Sequence, residues 1–359
     1  MRLDRCALLI GLLVMAGCDQ PDPTPHSYAG LGQDAAAFAQ VRRGVPLVFP
    51  QDHGAHDGYR IEWWYVTANL HDEQGRDWGT QWTLFRSALR PGEAGVGWGS
   101  ANLWMAHAAL TGPGGHQSSE RLARGGIGQA GVEGAPFRAW IDDWSLAGDA
   151  QIHRLRMRAN GAGFSYDLNL SSQRPLVLHG DQGYSEKSGH GQASYYYSQP
   201  FYRVSGVVER DGKRVQVSGN AWLDREWSSQ PLAAGQSGWD WFSLHLDSGA
   251  KLMLFQVRQE GAGPYRAGTW ISADGASEAL HGEQIQLSAL ASTRQREGQS
   301  VPTRWRVQVP GKQLDVEVQA LEPQAWMHTR FPYWEGPVKV QGSTGGRGYL
   351  EMTGYAAPR

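Results

Sequence analysis

The chain lacks several residue patterns on which common functional sites depend. Only 2 of its 359 residues are cysteine, Cys6 and Cys18, so the rest of the chain can form no disulfide framework and no cysteine-based metal or nucleophilic site. Charge of one sign is also lacking, because 33 Lys and Arg stand against 35 Asp and Glu. With no basic excess to neutralise phosphates, nucleic acid is not expected as a partner.

Familiar catalytic and cofactor motifs are missing as well. The sequence has no Gly-x-Ser-x-Gly nucleophile elbow, no phosphate-binding loop and no metalloprotease motif. The glycine pattern at 126–131 matches a dinucleotide-binding motif in letters only, because no strand-to-helix context surrounds it. His53 and His56 are three residues apart in a glycine-containing loop, whereas a catalytic zinc helix needs histidines at i and i+4. We therefore expect neither a cofactor nor a metal.

Residues 1–17 have the features of a secretory signal: a basic start, an apolar run over 6–16 and a small-residue end. The apolar run is too short for a membrane-spanning helix. The stretch Met15-Ala16-Gly17-Cys18 resembles a bacterial lipobox, which implies cleavage before Cys18 and lipidation of its sulfur. The alternative is a plain secretory signal in which this cysteine is incidental.

Lipidation at Cys18 predicts a periplasmic protein that is anchored to a bacterial membrane through its N-terminal lipid. Asp19 resembles an inner-membrane retention signal, so the inner membrane is favoured. Residues 18–46 are expected to form a tether, with at most one short helix over 34–43.

From residue 47 onward the pattern is typical of an all-β protein. Short alternating segments are separated by turn clusters such as Arg210-Asp211-Gly212-Lys213, at the spacing of a sandwich or barrel. The alternating segments include 63–70, 80–85, 215–223, 252–257, 305–309 and 314–318. No helical period appears between them, which disfavours a doubly wound α/β fold.

One β unit occurs twice, since 63–70 aligns with 239–246 at an offset of 239 − 63 = 176 residues. One strand face of this unit is mostly apolar and is expected to be packed. The other face starts aromatic and turns polar, with Trp63 and Tyr65 in one copy and Trp239 and Trp241 in the other. This second face could line a barrel interior that holds an apolar ligand, or be an outer face covered by the neighbouring domain.

The stretch 222–227 places two carboxyl groups between tryptophans. Asp224 or Glu226 held between rings would lose its hydration, its pKa would rise, and it could act as a general acid. The alternative is a structural ion pair with Arg225 or Arg86 that fixes the junction between the domains.

Two further clusters are candidates for a site. His53, His56 and Glu62 form a candidate polar cluster next to a tryptophan pair, with packed loop histidines as the simplest explanation. Ser194-Tyr195-Tyr196-Tyr197-Ser198 could place phenols at a pocket rim or form a half-buried edge strand.

Several stretches, among them Glu62-Trp63-Trp64-Tyr65 and Pro332-Tyr333-Trp334-Glu335-Gly336-Pro337, resemble the AttH-like and hydroxyneurosporene synthase (CrtC)-like family. Members of this family are also described as secreted hydrolases or carotenoid 1,2-hydratases. The other matching stretches are 52–56, 83–86, 105–107, 193–198, 221–229 and 238–246. The resemblance covers about 47–356. It implies two consecutive lipocalin-like antiparallel β-barrels packed together, over 47–228 and 229–359, after the short N-terminal tether.

The resemblance also implies candidate functions. Carotenoid hydratases of this group add water across a terminal isoprenoid double bond, and Asp224 or Glu226 would supply the proton while ring faces shelter the cation. These hydratases carry a histidine after the aspartate, whereas this chain has Arg225, which cannot exchange a proton. Relatives with a lipoprotein leader resemble accessory components of ABC export systems.

We therefore expect a membrane-tethered periplasmic protein that binds an apolar isoprenoid or lipid ligand and works with an ABC transporter permease. The alternatives are a hydratase-type lyase or secreted hydrolase that uses Asp224 and Glu226, and a non-enzymatic scaffold. The residues expected to contact the ligand are Trp63, Tyr65, Arg86, His107, Tyr196, Trp222, Trp227, Trp239, Trp241 and Tyr333.

Overall fold

The computed structural model describes residues 35–92, 95–233 and 235–355. The expected signal peptide and the lipidation site at Cys18 lie outside the described residues. Within these ranges helical geometry is limited to single turns of 3-10 helix at Gln51–His53, Gly97–Gly99, Gly282–Gln284 and Pro310–Lys312. None of the helices described is long and apolar enough to cross a bilayer.

The first half of the chain forms one antiparallel sheet of 13 strands that curves toward closure, with β4 against β8. The strands are β1 (Ile61–Asp72), β2 (Asp77–Ala88), β3 (Asn102–Gly112), β4 (Gly115–Arg124), β5 (Ala130–Gly134), β6 (Phe137–Ile141), β7 (Trp144–Gly148), β8 (Arg154–Gly161), β9 (Phe164–Ser171), β10 (Val177–Leu178), β11 (Tyr184–Glu186), β12 (Ala193–Arg210) and β13 (Lys213–Ser228). Their spatial order is β4-β3-β2-β1-β13-β12-β9-β8-β7-β6-β5, and β10 and β11 pair with β12.

The second half forms a separate antiparallel sheet of 10 strands. The strands are β14 (Gln236–Leu246), β15 (Lys251–Gln259), β16 (Tyr265–Ile271), β17 (Ser277–His281), β18 (Gln286–Arg294), β19 (Ser300–Val309), β20 (Leu314–Ala320), β21 (Trp326–Met327), β22 (Tyr333–Gly342) and β23 (Gly346–Met352). Their order is β17-β16-β15-β14-β23-β22-β20-β19-β18, and β21 pairs with β22. The expected all-β fold of two consecutive lipocalin-like barrels is confirmed.

The repeat found in the sequence has a structural counterpart. β1 pairs with β2 on one side and with β13 on the other, and β14 pairs in the same way with β15 and β23. In each case the second partner is the last strand of that sheet in chain order. The face of β1 that carries Trp64, Val66 and Leu70 is at most 1% exposed and fills the interior of the first sheet. Phe242 and Leu244 occupy the same place in the second sheet. The expectation that this face is packed is confirmed.

The opposite, aromatic face of each repeat turns away from its own sheet interior and packs against the other sheet. The rings of Tyr65 and Trp241 meet edge to face with centroids 5.4 Å apart. They belong to an apolar cluster that also contains Tyr196, Trp222 and Phe255. Of the two arrangements left open by the sequence, the structure has the outer face covered by the neighbouring sheet. We call this contact surface the seam.

The part of the expected tether that the structure describes, 35–46, lies against the first sheet and contains no helix. The backbone N–H of Ala39 donates to the carbonyl of Gly58, and that of Arg42 donates to the hydroxyl of Tyr195 at 3.0 Å. Because these N–H groups bind the body of the protein, they are not available for the i to i−4 bonds of a helix. Residues 35–43 therefore form an irregular segment where the sequence allowed at most one short helix over 34–43, and position 34 lies outside the described residues.

A fully buried charge cluster closes one end of the first sheet. Glu62 accepts hydrogen bonds from the guanidinium groups of Arg86 and Arg225, and all three side chains have 0% exposure. Arg225 also lies over the ring of Trp64, 3.8 Å from its centroid. Burial opposes ionisation of Glu62, but the two cations outweigh it and hold its pKa well below the ordinary value.

This cluster corrects one expectation from the sequence. Arg86 and Arg225 pair with Glu62 rather than with Asp224 or Glu226, and the ion pairs lie inside the first sheet rather than at the junction of the two sheets. The reason is strand alternation, since Arg225 points to the face of β13 opposite to that of its two neighbours.

We predict that Glu62→Gln will lower the free energy of unfolding by about 3–5 kcal/mol, because two buried cations lose the carboxylate that both of them contact. Urea denaturation near neutral pH measures this. The matched control is Asp315→Asn, which breaks the half-exposed pair between Asp315 and Arg306 and should change the stability far less. Equal losses in the two variants would contradict the stabilising role of the buried cluster.

Candidate functional site

A cavity of about 490 Å³, which we call the seam cavity, lies between the two sheets. Its walls are largely apolar, include many aromatic residues and come from both halves of the chain. The aromatic wall residues include Trp63, Tyr65, Phe85, Trp239, Trp241 and Phe255. A mostly apolar cavity of this size with a few polar groups is typical of small-molecule sites.

Most of the site residues expected from the sequence meet at this cavity. Those that line it are Trp63, Tyr65, Arg86, His107, Tyr196, Asp224, Glu226, Trp239 and Trp241. Glu62 also contributes to the wall, although its side chain and that of Arg86 are committed to the buried ion pairs. The structure therefore brings together residues that are up to 178 positions apart (241 − 63) in the chain.

Three of the residues expected to contact ligand do not line the cavity. Trp227 points into the first sheet, on the face of β13 opposite to Glu226, and its ring stacks on His56 at 4.0 Å. Trp222 is fully buried behind the cavity wall. Tyr333 is buried beside the seam, where its hydroxyl bonds to Nδ1 of His107 at 2.9 Å. These three are reassigned as supporting residues.

The candidate polar cluster of histidines is also part of the first sheet's interior. Nδ1 of His53 bonds to the hydroxyl of Tyr197 at 2.6 Å. Nδ1 of His56 lies 3.1 Å from Glu62 and its Nε2 lies 3.2 Å from Asp52. In the part of the chain that the structure describes, no three His, Cys, Asp or Glu side chains are placed to hold a metal.

The tyrosine run is not an edge strand. It belongs to β12 and pairs there with β13 on one side and with the short strands β10 and β11 on the other. Tyr195 and Tyr197 point into the first sheet, and Tyr196 points to the seam, where its hydroxyl accepts a hydrogen bond from Nε1 of Trp241 at 3.1 Å. The alternation along one strand thus divides the three phenols between two environments.

The pKa of Asp224 lies well above the ordinary value of an aspartate. Asp224 is 2% exposed, and burial raises its pKa to about 7, against the opposing effect of its hydrogen bonds. Its Oδ1 accepts hydrogen bonds from the hydroxyl of Ser198 and from Nε1 of Trp222, the latter at 2.9 Å. Its Oδ2 is buried and forms no hydrogen bond among the described residues, although the hydroxyl of Tyr196 is near enough to the carboxyl group to oppose the rise in its pKa.

A hydrogen-bond chain fixes which oxygen of Asp224 is free. Because the Ser198 hydroxyl donates to Asp224, Nε2–H of His179 must donate to Ser198, at 2.5 Å, and its Nδ1 accepts from the hydroxyl of Thr269 at 2.8 Å. Burial lowers the pKa of His179 to about 3, so this imidazole is neutral, as the chain requires. Oδ1 is thus saturated with donors, and a proton on Asp224 belongs on Oδ2.

Glu226 has a different environment from Asp224, although both line the cavity. It forms an ion pair with Nζ of Lys187 at 2.8 Å and accepts a hydrogen bond from the hydroxyl of Ser194. Lys187 also lies over the rings of Tyr196 and Phe255, at 4.7 and 4.4 Å from their centroids. Glu226 thus has a cationic partner in the cavity wall, which Asp224 lacks among the described residues.

Glu351 is a cavity residue that the sequence analysis missed. It is half-buried, and Nε1 of Trp239 donates to its Oε1 at 2.7 Å. Burial raises its pKa to about 7, and the negative charges of Asp224 and Glu226 act in the same direction. Opposite Glu351 on β22, the fully buried Glu335 accepts a hydrogen bond from Tyr65, and burial raises its pKa well above the ordinary value.

The internal repeat contained a signal for Glu351. Glu351 is the cross-strand neighbour of Trp241, as Asp224 is of Tyr65, and these two aromatic residues align at the offset of 176 (241 − 65). Asp224 and Glu351 therefore occupy equivalent places in the two copies. Finding Glu351 from sequence needed the strand register, which the alignment of the repeats alone did not provide.

We predict that replacing Asp224 by Asn will change the pH dependence of stability. The folded state binds the Asp224 proton more tightly than the unfolded chain, so wild-type stability from this group is present at low pH and lost as pH rises from about 4 to about 7. The neutral amide of the Asp224→Asn variant avoids this loss. As the pH goes from acidic to mildly alkaline, the free energy of unfolding of the variant should therefore rise by about 2–4 kcal/mol relative to that of wild type.

Urea unfolding across this pH range measures the difference. Asp274→Asn, in an exposed turn, is the control and should leave the pH profile unchanged. A constant difference between Asp224→Asn and wild type at all pH values would show that Asp224 titrates as an ordinary carboxyl group.

Solved structures share this architecture. A protein of Nitrosomonas europaea assigned as AttH is 34% identical, with a TM-score of 0.79, and the match covers 89% of this chain and 100% of that one. Kievitone hydratase from Nectria haematococca matches at 14% identity and a TM-score of 0.67, over 89% and 97% of the two chains. CghA in complex with Sch210972 matches at 11% identity and a TM-score of 0.53, over 91% and 99%. The last two likenesses show the fold alone.

No curated protein matches the sequence significantly. The AttH-like family model matches residues 40–355, which includes both sheets and every residue of the seam cavity. Together with the N. europaea structure, this match shows that the chain belongs to the AttH-like family.

Proposed function

We propose that the protein binds an apolar small molecule in the seam cavity and adds water to a double bond of that molecule, as a hydratase-type lyase. The observation that carries this proposal is the placement of Asp224. A carboxyl group whose pKa burial raises to about 7 lines an aromatic cavity of about 490 Å³. Such a group is protonated in a large fraction of molecules near neutral pH, and can therefore act as an acid there.

The proposed proton donor is Oδ2 of Asp224. Donors from Ser198 and Trp222 occupy Oδ1, so the acidic hydrogen of the protonated group lies on the oxygen that has no partner among the described residues. A double bond held against Asp224 would receive this proton at one carbon, which leaves a cation at the other. The faces of Trp63, Trp239 and Trp241 line the same cavity and would stabilise that cation.

Water then completes the addition. Its oxygen bonds to the cationic carbon, and the proton that it releases returns to the carboxylate of Asp224, so the net change is addition of one water molecule. Glu351 is the second carboxyl group of the cavity and is placed to orient that water. The likeness to kievitone hydratase supports the proposal to the extent that the same fold houses a hydratase.

Arg225 does not count against this chemistry. It lies on the face of β13 opposite to Asp224, pairs with Glu62 and lies over the ring of Trp64. The absence of an exchangeable proton at position 225 therefore concerns the interior of the first sheet and not the seam cavity.

Hydrolysis by a serine nucleophile fits less well. Ser198 is bonded to His179, as a nucleophile would be to its base, but it is 0% exposed and does not line the cavity. Its hydroxyl hydrogen is directed to Asp224 rather than to the imidazole. Ser198 is thus a positioning residue for Asp224.

Ligand binding without turnover is the second candidate, because the aromatic lining alone suffices for it. If the protein were a scaffold without a ligand, we would expect no cavity of ligand size. The presence of the seam cavity argues against this alternative. We retain the lipid anchor at Cys18, the periplasmic location at the inner membrane and the ABC transporter permease as proposals that rest on the sequence.

We predict that the full chain, incubated with isoprenoid alkenes such as geraniol, farnesol and geranylgeraniol in H₂¹⁸O, will form products that have gained one labelled water. Asp224→Asn should lower kcat by about 10²–10⁴-fold, because the acid is lost. Glu351→Gln should lower it as well. Mass spectrometry measures the product, and quenching of Trp fluorescence measures binding separately.

The control is Glu283→Gln, in the exposed turn Gly282–Gln284, which should leave turnover and binding unchanged. Turnover that survives Asp224→Asn would remove Asp224 as the acid. Saturable binding with no product across the panel would support the binding-only candidate, and absence of both would contradict the proposal.

A further inference from the structure

A second cavity, of about 760 Å³, opens at the other end of the seam. We call it the basic cavity, because the charged residues in its wall are Arg154, Arg174, Arg203 and Lys251, with no Asp or Glu among the lining residues. Both sheets contribute, since Arg203 lies on β12 and Lys251 on β15. Like charges gathered from two sheets cost electrostatic energy unless an anion is present to offset them.

These four cations have no counter-charge within the described ranges. None of the four side chains forms an ion pair with a carboxylate there, although many other cations of the chain do. The nearby Asp149 is occupied by the backbone N–H groups of Gln151, His153 and Arg154, at 2.7 to 3.1 Å. The positive charge of the cavity is therefore available to a ligand.

Neighbouring groups hold the cations in place. The guanidinium of Arg174 and the ammonium of Lys251 both lie over the ring of Phe201, 4.7 and 4.3 Å from its centroid. Arg174 also donates to the carbonyl of Ala273 at 2.7 Å, and Arg203 donates to Oδ1 of Asn220 at 3.0 Å. Anchored donors lose less side-chain entropy when a ligand binds.

Lys251 and His245 both lie in the wall of the basic cavity. Burial, together with the charges of Arg174 and Arg203, lowers the pKa of Lys251 to about 8. His245, the cross-strand neighbour of Lys251, donates from Nε2 to the carbonyl of Pro200 at 3.0 Å. Its Nδ1 is buried without a partner among the described residues and is an unused acceptor in the wall of the cavity.

We propose that the basic cavity binds a phosphate-type oxyanion, either free phosphate or the phosphate headgroup of a lipid. A compact oxyanion can accept hydrogen bonds from several of the four cations at once, and a protonated phosphate can donate to Nδ1 of His245. This site is separate from the seam cavity. Asn220, in the basic cavity, and Asp224 are four residues apart on one face of β13, about 13 Å at the rise of a strand.

The test compares two double variants of the full chain that remove the same charges. Arg203→Gln with Lys251→Gln removes one arginine and one lysine from the basic cavity. The control, Lys213→Gln with Arg214→Gln, removes the same pair from the exposed first residues of β13. The probes are inorganic phosphate, and vesicles of phosphatidylcholine with or without phosphatidic acid.

We predict that inorganic phosphate will raise the Tm of wild type and of the control, and that the cavity variant will bind phosphate at least about tenfold more weakly by calorimetry. If a lipid headgroup is the ligand, vesicle binding will depend on phosphatidic acid and will be lost in the cavity variant only. If the double variant does not fold, the single variant Arg174→Gln, which changes an exposed side chain, should weaken the binding of the same probe.

Two results would overturn the proposal. One is the absence of any effect of either probe on wild type. The other is an equal loss of binding in the control, which would mean that general surface charge, and not the basic cavity, attracts the anion. Both results are independent of turnover in the seam cavity.

Discussion

Contact between the two aromatic outer faces is the constraint on which the site depends. Each sheet fills its own interior, so its outer face would be an ordinary wet surface if the other sheet did not cover it. Covering removes water from the carboxyl groups on those faces, and the pKa values of Asp224 and Glu351 rise to about 7. The raised pKa values of these two groups are therefore a property of the assembled pair of sheets and of neither sheet alone.

Strand alternation assigns neighbouring residues of β13 to opposite tasks. Asp224 and Glu226 face the seam, whereas Arg225 faces inward and closes the first sheet with Glu62. One segment thus contributes both to the buried ion pairs that stabilise the fold and to the carboxyl groups that line the seam cavity. Along the same strand Trp222, whose ring lies 5.6 Å from that of His245, separates the seam cavity from the basic cavity.

The sequence was sufficient for the fold class, because alternating segments and the repeat at 63–70 and 239–246 are local or linear signals. It also pointed to Asp224 and to several residues of the cavity wall, since aromatic residues and carboxyl groups are close together in the chain there. It could not say which side of each sheet was covered, and so it placed Trp227 at the ligand. Glu351 required a strand register, and the basic cavity required contacts between residues as distant as Arg154 and Lys251.

The proposed site depends on a carboxyl group at the seam, Asp224, that keeps its proton in a large fraction of molecules near neutral pH. Carbon-13 NMR of protein labelled at the Asp and Glu carboxyl carbons, titrated with pH, measures this directly. The account predicts a signal with a midpoint near pH 7 that disappears in Asp224→Asn and remains in Asp274→Asn. If every carboxyl signal titrates at ordinary values of about 3 to 5, the seam does not hold a protonated acid and the account is contradicted.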